Sequence, residues 1–255
     1  MSSEANITFV GNEGVLLESG GNAVLVDALF GDGAAAYTSA PRAVIDAVET
    51  ARTPFDAVDV VLATHFHPDH FDPDSVARYL AHNARARVLT TPQARRLLES
   101  RAAGFDGFAA RVGTVLPGEG QCLTTTIGDV VVDAFGLSHG KVNYGDVEHV
   151  GFVVTMGGAT FLHLGDGIIA EKTLRAAGVL DRELDAAILP FWFLTYPSGR
   201  RLLEHGFARR PRRLFAVHIP PEHQRRLVDE VRAFDRRATP LVEPMTRVRI
   251  GVELV

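Results

Sequence analysis

The sequence predicts an α/β protein in which two β-sheets pack together with helices outside them. Three observations support this. Short apolar runs bounded by Gly, Pro, Asn and Asp read as strands. Stretches with apolar residues at helical spacing are interspersed with them. Each half of the chain runs strands first and helices later, the pattern of layered sheets covered by helices. With 255 residues and 46% apolar composition the chain can bury a substantial core. One domain over residues 1–255 is expected.

Taken in order, three short strands open the chain: Ile7 to Val10, Val15 to Glu18 and Ala23 to Asp27. Gly11, Gly14, Gly20 and Gly21 supply the turns between them. A helix is expected near Pro41 to Ala51, with Val44, Ile45 and Val48 on one face. Val58 to Ala63 reads as a buried strand. A helix near Pro73 to His82, a strand at Val88 to Thr91 and a helix at Pro92 to Ser100 follow. Strand-like runs then come at Val112 to Leu116, Cys122 to Ile127, Val130 to Phe135, Val150 to Thr155 and Thr160 to Leu164. Ile169 to Ala177 reads as a helix. Ala186 to Leu189 and Leu214 to Val217 are further buried strands, Pro221 to Phe234 an amphipathic helix, and the tail holds one or two strands.

The formal net charge of −5 gives no support for nucleic-acid or membrane binding. Arginines cluster at Arg209, Arg210, Arg212 and Arg213, and again at Arg225, Arg226, Arg236 and Arg237. Both clusters read as solvated helix faces, with an anion site as the alternative. Cys122 is the only cysteine, so no intrachain disulfide forms, and it reads as a small buried hydrophobe. The first residues, MSSEANITFVG, lack a basic segment followed by an apolar core, so a cytoplasmic location is expected. No run approaches the roughly 18 apolar residues of a membrane helix.

The most informative stretch is THFHPDHFD at positions 64–72. His65, His67, Asp69 and His70 put four metal-ligand side chains into six residues. They sit between the strand ending at Ala63 and a helix for which Asp72 is the N-cap and Pro73 the first residue. Pro68 keeps His67 out of the helical region, so the loop stays extended and can turn its side chains inward. Imidazole and carboxylate at this density suit zinc, iron or manganese.

Read with what lies downstream, this stretch resembles the metallo-β-lactamase superfamily. The family's motifs can be placed in order: Asp27 in LVDALF, the complete H-x-H-x-D-H loop, His139 in FGLSHG, Asp166 in HLGDG and His218 in LFAVHIP. The resemblance implies a four-layer αββα sandwich with a two-metal site at one edge of the sheets. It implies that His65, His67 and His139 hold one metal, that Asp69, His70 and His218 hold the other, and that Asp166 bridges them. Asp27 then orients the histidine loop through a hydrogen bond. Two divalent ions, zinc first and iron or manganese as alternatives, are the expected cofactors. Two such ions about 3.5–4 Å apart generate hydroxide near neutral pH and polarise a carbonyl or phosphoryl group. Asp69 is also the candidate to manage the hydroxide proton.

The chain departs from well-known branches of the family. No cysteine stands at a ligand position, which argues against an antibiotic-degrading periplasmic enzyme. No inserted second domain marks a nucleic-acid-processing nuclease. The first turn reads Gly11-Asn12-Glu13-Gly14, where many lactonase-like relatives have Gly-His-Ser, so Asn12 and Glu13 are expected to face the substrate differently, with Asn12 the candidate substrate contact.

Among the remaining histidines, His82 and His205 read as surface residues and His149 as structural. His163 is either a hydrogen-bonded core residue or support for the site. His223 belongs either to a helix start at the surface or to the pocket rim. Trp192, Phe193 and Tyr196 follow a strand end and are either core or the wall of a substrate pocket. Lys141, Asn143 and Tyr144 either bind a polar substrate group or form an ordinary solvent loop. The leading expectation is a dinuclear hydrolase of a small ester, lactone, thioester or phosphodiester. An iron-dependent redox enzyme on the same scaffold is the alternative, and a non-catalytic binding module is disfavoured by the complete ligand set. The expected partner is a small-molecule substrate, not nucleic acid or membrane.

Overall fold

The structure is a computed structural model and describes residues 4–33, 37–140 and 146–251. The first half contributes β1 (Glu4–Gly11), β2 (Gly14–Ser19), β3 (Asn22–Val26), α1 (Arg42–Glu49), β4 (Val60–Leu62), α2 (Pro73–His82), β5 (Arg87–Thr90), α3 (Pro92–Arg101) and β6 (Val112–Thr114). The second contributes β7 (Cys122–Ile127), β8 (Val130–Gly136), β9 (Val150–Met156), β10 (Ala159–His163), α4 (Glu171–Ala176), β11 (Ala186–Pro190), α5 (Trp192–Thr195), α6 (Pro197–Arg201), β12 (Arg213–Val217), α7 (Gln224–Phe234) and β13 (Thr239–Pro240). The last strand, β14 (Arg247–Gly251), crosses back to pair antiparallel with β1.

Two seven-stranded sheets result, ordered β14-β1-β2-β3-β4-β5-β6 and β13-β12-β11-β10-β9-β8-β7. Each begins with antiparallel strands, joined by tight turns except between β8 and β9, where residues 137–149 intervene, and continues with parallel strands. Parallel neighbours need a crossover, which the helices provide.

The period-two alternation of strand side chains sets the layers. On β2, Val15 and Leu17 join the core between the sheets, whereas Leu16 faces the helices of the first half. On β11, Ala186 and Ile188 point inward, and Ala187 and Leu189 meet the outer layer of the second half. Between the sheets, Phe9, Phe152, Phe161 and Phe215 fill the centre. Outside, Tyr79 and Leu80 cover one sheet and Leu227 and Val231 the other. The architecture is therefore the expected helix–sheet–sheet–helix sandwich.

Several local details differ from expectation. The strand from Val112 ends at Thr114, and Leu116 is 42% exposed. The helix expected from Ile169 starts at Glu171. The first arginine cluster lies on the approach to β12 and not on a helix. There Arg209 pairs with Glu183, and Arg210 reaches Asp235 at 2.8 Å. In the second cluster Arg225 and Arg226 do lie on α7, where Arg226 pairs with Glu230 one turn on. Cys122 is half-buried on an edge strand, and burial raises its thiol pKa.

Candidate metal centre

The loops that leave the carboxyl ends of β3, β4, β10 and β12 meet at one edge of the sandwich, where α/β sheets commonly place their ligands. The histidine loop is fixed at both ends. Phe71 bridges Leu29, and the Asp72 N–H donates to the Leu29 carbonyl at 2.7 Å. Asp72 then caps α2, accepting from the Ser75 N–H at 2.7 Å, with Pro73 as the first helical residue. Within the loop, the His67 carbonyl accepts from the N–H groups of His70 and Phe71. This turn brings His65, His67, Asp69 and His70 to the same side.

Two clusters of ligand atoms form there. His65, His67, His139 and Asp166 make one, and Asp69, His70, Asp166 and His218 the other. Asp166 belongs to both. Its Oδ1 lies 3.4 Å from His70 Nε2 and 3.1 Å from His218 Nε2, and its Oδ2 lies 3.3 Å from His139 Nε2. Asp69 Oδ2 is 3.5 Å from His70 Nε2 and 3.8 Å from His218 Nε2. His65 Nε2 and His67 Nδ1 approach to 3.0 Å. Burial forces His65 well below and His67 below the usual histidine range. Burial opposes charge on Asp166 too, yet the surrounding histidines hold it well below the usual carboxylate range.

Asp27 sets which histidine nitrogens face the site. Its Oδ1 accepts from the Thr64 N–H at 2.8 Å, and its Oδ2 accepts from the Thr64 hydroxyl at 2.7 Å. That hydroxyl, its proton committed to Asp27, accepts from His65 Nδ1 at 3.0 Å. His70 Nδ1 donates directly to Asp27 Oδ2 at 3.0 Å. Both rings therefore carry their proton on Nδ1 and turn Nε2 toward the cluster. Burial alone would raise the Asp27 pKa, but the bond from His70 leaves it lowered. His70 is raised well above the histidine range because Asp166 and Asp27 together outweigh its burial.

The donor set fits metal ions. The buried atoms His70 Nε2, His218 Nε2 and Asp166 Oδ1 crowd together at 3.1–3.4 Å without a well-aligned hydrogen bond among them, an expensive arrangement unless something else engages them. Five imidazoles and two carboxylates match the mixed nitrogen and oxygen preference of divalent transition metals. Backbone strain gathers at the same place. Asp27 and His218 adopt left-handed φ values of 46° and 58°, and Asn12 beside them 46°. Gly165 precedes Asp166 with φ of 51°, and a Cβ there would lie 2.6 Å from Thr64 Oγ1 and 2.8 Å from His149 Nε2.

Other sequence candidates separate cleanly. His149 belongs to neither ligand cluster. Its Nδ1 donates to the Leu137 carbonyl at 2.9 Å, its ring centroid is 5.3 Å from that of His65, and burial lowers its pKa to about 4. It is structural and also packs directly on the site, which its position at a strand start did not reveal. His163 is fully buried, donates from Nε2 to the Glu13 carbonyl at 3.0 Å and accepts at Nδ1 from the Gly165 N–H. His82, His205 and His223 are exposed.

Asn12 does not face a substrate space. It is buried, and its amide donates to Asp69 Oδ2 at 3.0 Å and to the Asp69 carbonyl at 3.3 Å. Glu13, its neighbour in that turn, does not face a substrate space either: it is fully buried beside Asp27 and His70. Burial, then Asp166, raises its pKa well above the usual carboxylate range. The signal for it was a glutamate between two glycines in a strand turn next to Asp27.

An open cavity of about 380 Å³ adjoins the ligand clusters, lined by His139, Asp166, Ile168, Ile169, Trp192 and Tyr196. The Trp192 indole N–H donates to the Gly167 carbonyl at 3.1 Å, and its ring stands 5.3 Å from His218. Tyr196 is 53% exposed. Phe193, the third candidate for this wall, turns the other way and is buried with Leu189, Leu194 and Leu203. The reason is α5. A helical turn sends adjacent side chains to different faces, so Trp192 and Phe193 cannot line one wall. Tyr144, with Lys141 and Asn143, lies outside the described residues.

This division carries an expected outcome. Trp192→Ala should raise KM about 10-fold, the loss of roughly one apolar contact surface, with metal content unchanged. Phe193→Ala should instead destabilise the fold by about 3–5 kcal/mol. Kinetics and denaturant melts of both variants check it, and the reverse pattern would exchange the two assignments.

A family model described as Beta-lactamase superfamily domain matches residues 6–187. No curated protein matches the chain. Among solved structures, the metallo-beta-lactamase fold protein YhfI from Bacillus subtilis is 14% identical, with 97% of this chain and 99% of that chain covered and a TM-score of 0.64. Igni18, a metallo hydrolase from the hyperthermophilic archaeon Ignicoccus hospitalis, is 15% identical over 98% of this chain and 100% of its own, with a TM-score of 0.64. CmlA, a diiron beta-hydroxylase from Streptomyces venezuelae, is 16% identical, with 97% of this chain but 54% of that chain covered and a TM-score of 0.58. At these identities the likeness is one of fold. Among the described residues, no helix is long and apolar enough to cross a membrane.

Proposed function

The chain belongs to the beta-lactamase superfamily, and from that membership we propose that it is a dinuclear metal-dependent hydrolase of small molecules. The observation that carries the reading is the pair of ligand clusters joined by one shared carboxylate, Asp166. His65, His67 and His139 would hold one ion, Asp69, His70 and His218 the other, with zinc as the first expectation. When bound, such a pair of ions lowers the pKa of water and polarises a carbonyl or phosphoryl oxygen.

The chain's own groups supply the rest. Asp27 and Thr64 keep the histidine tautomers fixed, so the ligand nitrogens need no reorganisation during turnover. Asp69 borders His70 and His218, and its pKa is lowered: burial opposes the charge but the His70 contact outweighs it. An ionised carboxylate there serves to accept the proton of the attacking water and return it to the leaving group. Trp192, Ile168, Ile169 and Tyr196 offer an apolar surface beside the reacting centre. That surface suits a small ester, lactone or thioester with an apolar portion, and a small phosphodiester by the same geometry.

Elemental analysis of protein purified without added metal, followed by assay on lactones, thioesters and phosphodiesters, tests the proposal. Two zinc ions per chain and turnover abolished by His67→Ala are expected. Iron with oxygen consumption would favour the oxidative chemistry that the fold's likeness to a diiron hydroxylase keeps in view. Metal-free protein that cannot be loaded would end both readings.

A further inference from the structure

We infer that Asn12 is a positioning residue that fixes the half of the site formed by Asp69, His70 and His218. The inference rests on the dinuclear reading and adds a residue to it. Asn12 touches two of those three residues, from opposite ends of the sequence. Its side-chain amide donates to Asp69 Oδ2 at 3.0 Å, the same oxygen that faces His70 and His218. It also donates to the Asp69 carbonyl at 3.3 Å. Its own carbonyl accepts from the His218 N–H at 3.1 Å, and its N–H donates to the Thr38 carbonyl at 2.7 Å.

The chemistry admits few alternatives at this position. The residue is buried and its neighbour is a carboxylate, so it must offer N–H and not oxygen. With both acceptors on Asp69, only one orientation of the amide avoids oxygen against oxygen. Asn12 Oδ1 is accordingly left buried with no hydrogen bond. The backbone adds a second requirement. At φ of 46° a side chain is tolerated mainly for Gly, Asn and Asp. Asn alone among these combines a neutral donor with that conformation. His218, whose N–H is held by the Asn12 main-chain carbonyl, sits at φ of 58° beside it. Asn12 makes none of these bonds to His65, His67 or His139, so its effect should be confined to one half-site.

Two variants test this in the full-length chain. Asn12→Asp keeps the shape and replaces the donor with an acceptor. Asn12→Gly removes the side chain and permits the backbone. Zinc is titrated into metal-free protein, bound ions are counted by elemental analysis, and His70→Ala identifies the binding step that belongs to this half. Both Asn12 variants should weaken that step about 10–100-fold, the usual effect of losing a hydrogen bond to a ligand. The other step should stay as in the wild type, and metal-free Asn12→Gly should still melt in one cooperative transition, lowered by a few degrees for the lost buried hydrogen bonds. Retention of both ions at wild-type affinity would overturn the inference while leaving the dinuclear reading intact. Equal weakening of both steps, or a collapse of metal-free melting without a selective loss of affinity, would also overturn it. A wild-type chain that binds one ion would overturn the dinuclear reading and this inference together.

Discussion

Replacing Asp166 with alanine should strip both metal ions from the protein at once. The carboxylate stands at the junction of the two ligand clusters, with one oxygen toward His70 and His218 and the other toward His139. If Asp166 is shared as proposed, its removal would take a ligand from each ion and withdraw the negative charge that lies between five imidazoles. Affinity at both sites should fall by more than about 100-fold, beyond what loss of an outer hydrogen-bond partner brings. Turnover should fall with it. Asp166→Asn, which keeps the shape and one acceptor oxygen, should fall between the two. Zinc titration with elemental analysis reads the result. If one ion stays at wild-type affinity in Asp166→Ala, the carboxylate is not shared and each cluster has its own anion.

The second large effect should come from Asp27→Ala and should appear even without metal. Asp27 is buried and accepts from the Thr64 N–H, the Thr64 hydroxyl and His70. Its loss leaves three buried donors without that acceptor and a histidine without its counter-charge. Breaking a buried pair from one side typically costs about 3–5 kcal/mol. For a chain of this size that lowers the melting midpoint by about 6–20 °C. The pH dependence has a definite sign. The Asp27 pKa is lowered in the fold, so its contribution is complete above the ordinary aspartate value of about 3.9 and disappears as pH falls through the lower folded value. The gap between wild type and variant should therefore narrow in strong acid, and also at high pH as His70, whose pKa Asp27 helps to raise, loses its charge. Equal midpoints at neutral pH would show that Asp27 is not a structural anchor of the loop.

What the sequence made legible follows from how local each signal is. The histidine loop could be read because its ligands, the proline that extends it and the Asp72-Pro73 helix start all fall within nine consecutive residues. The helix from Pro73 to His82 has the expected limits for the same reason. Asp27, His139, Asp166 and His218 were placed by resemblance, and the fold brings them to one edge. What failed depends on direction in space. The sequence groups Phe193 with Trp192 because both follow a strand, but neighbouring residues of a helix point about 100° apart and so to different faces. Asn12 was placed at the substrate because its turn departs from relatives, yet that turn tucks under Asp69. Glu13 carries no motif, and only the packing of β1, β2 and the Asp27 loop makes it a buried acid.

The ligand clusters draw on both sheets. His65, His67, Asp69 and His70 follow a strand of the first, while His139, Asp166 and His218 follow strands of the second. Ions held between them would act as a reversible rivet across the sandwich. Parting the sheets would require releasing the ions, so resistance to unfolding would rise with free metal, by about 2.7 kcal/mol when the ion is at 100 times its dissociation constant. Chelator in a buffer would then change the measured robustness of the whole molecule and not its activity alone. Two preparations of the same chain could melt at different temperatures solely because they were dialysed differently.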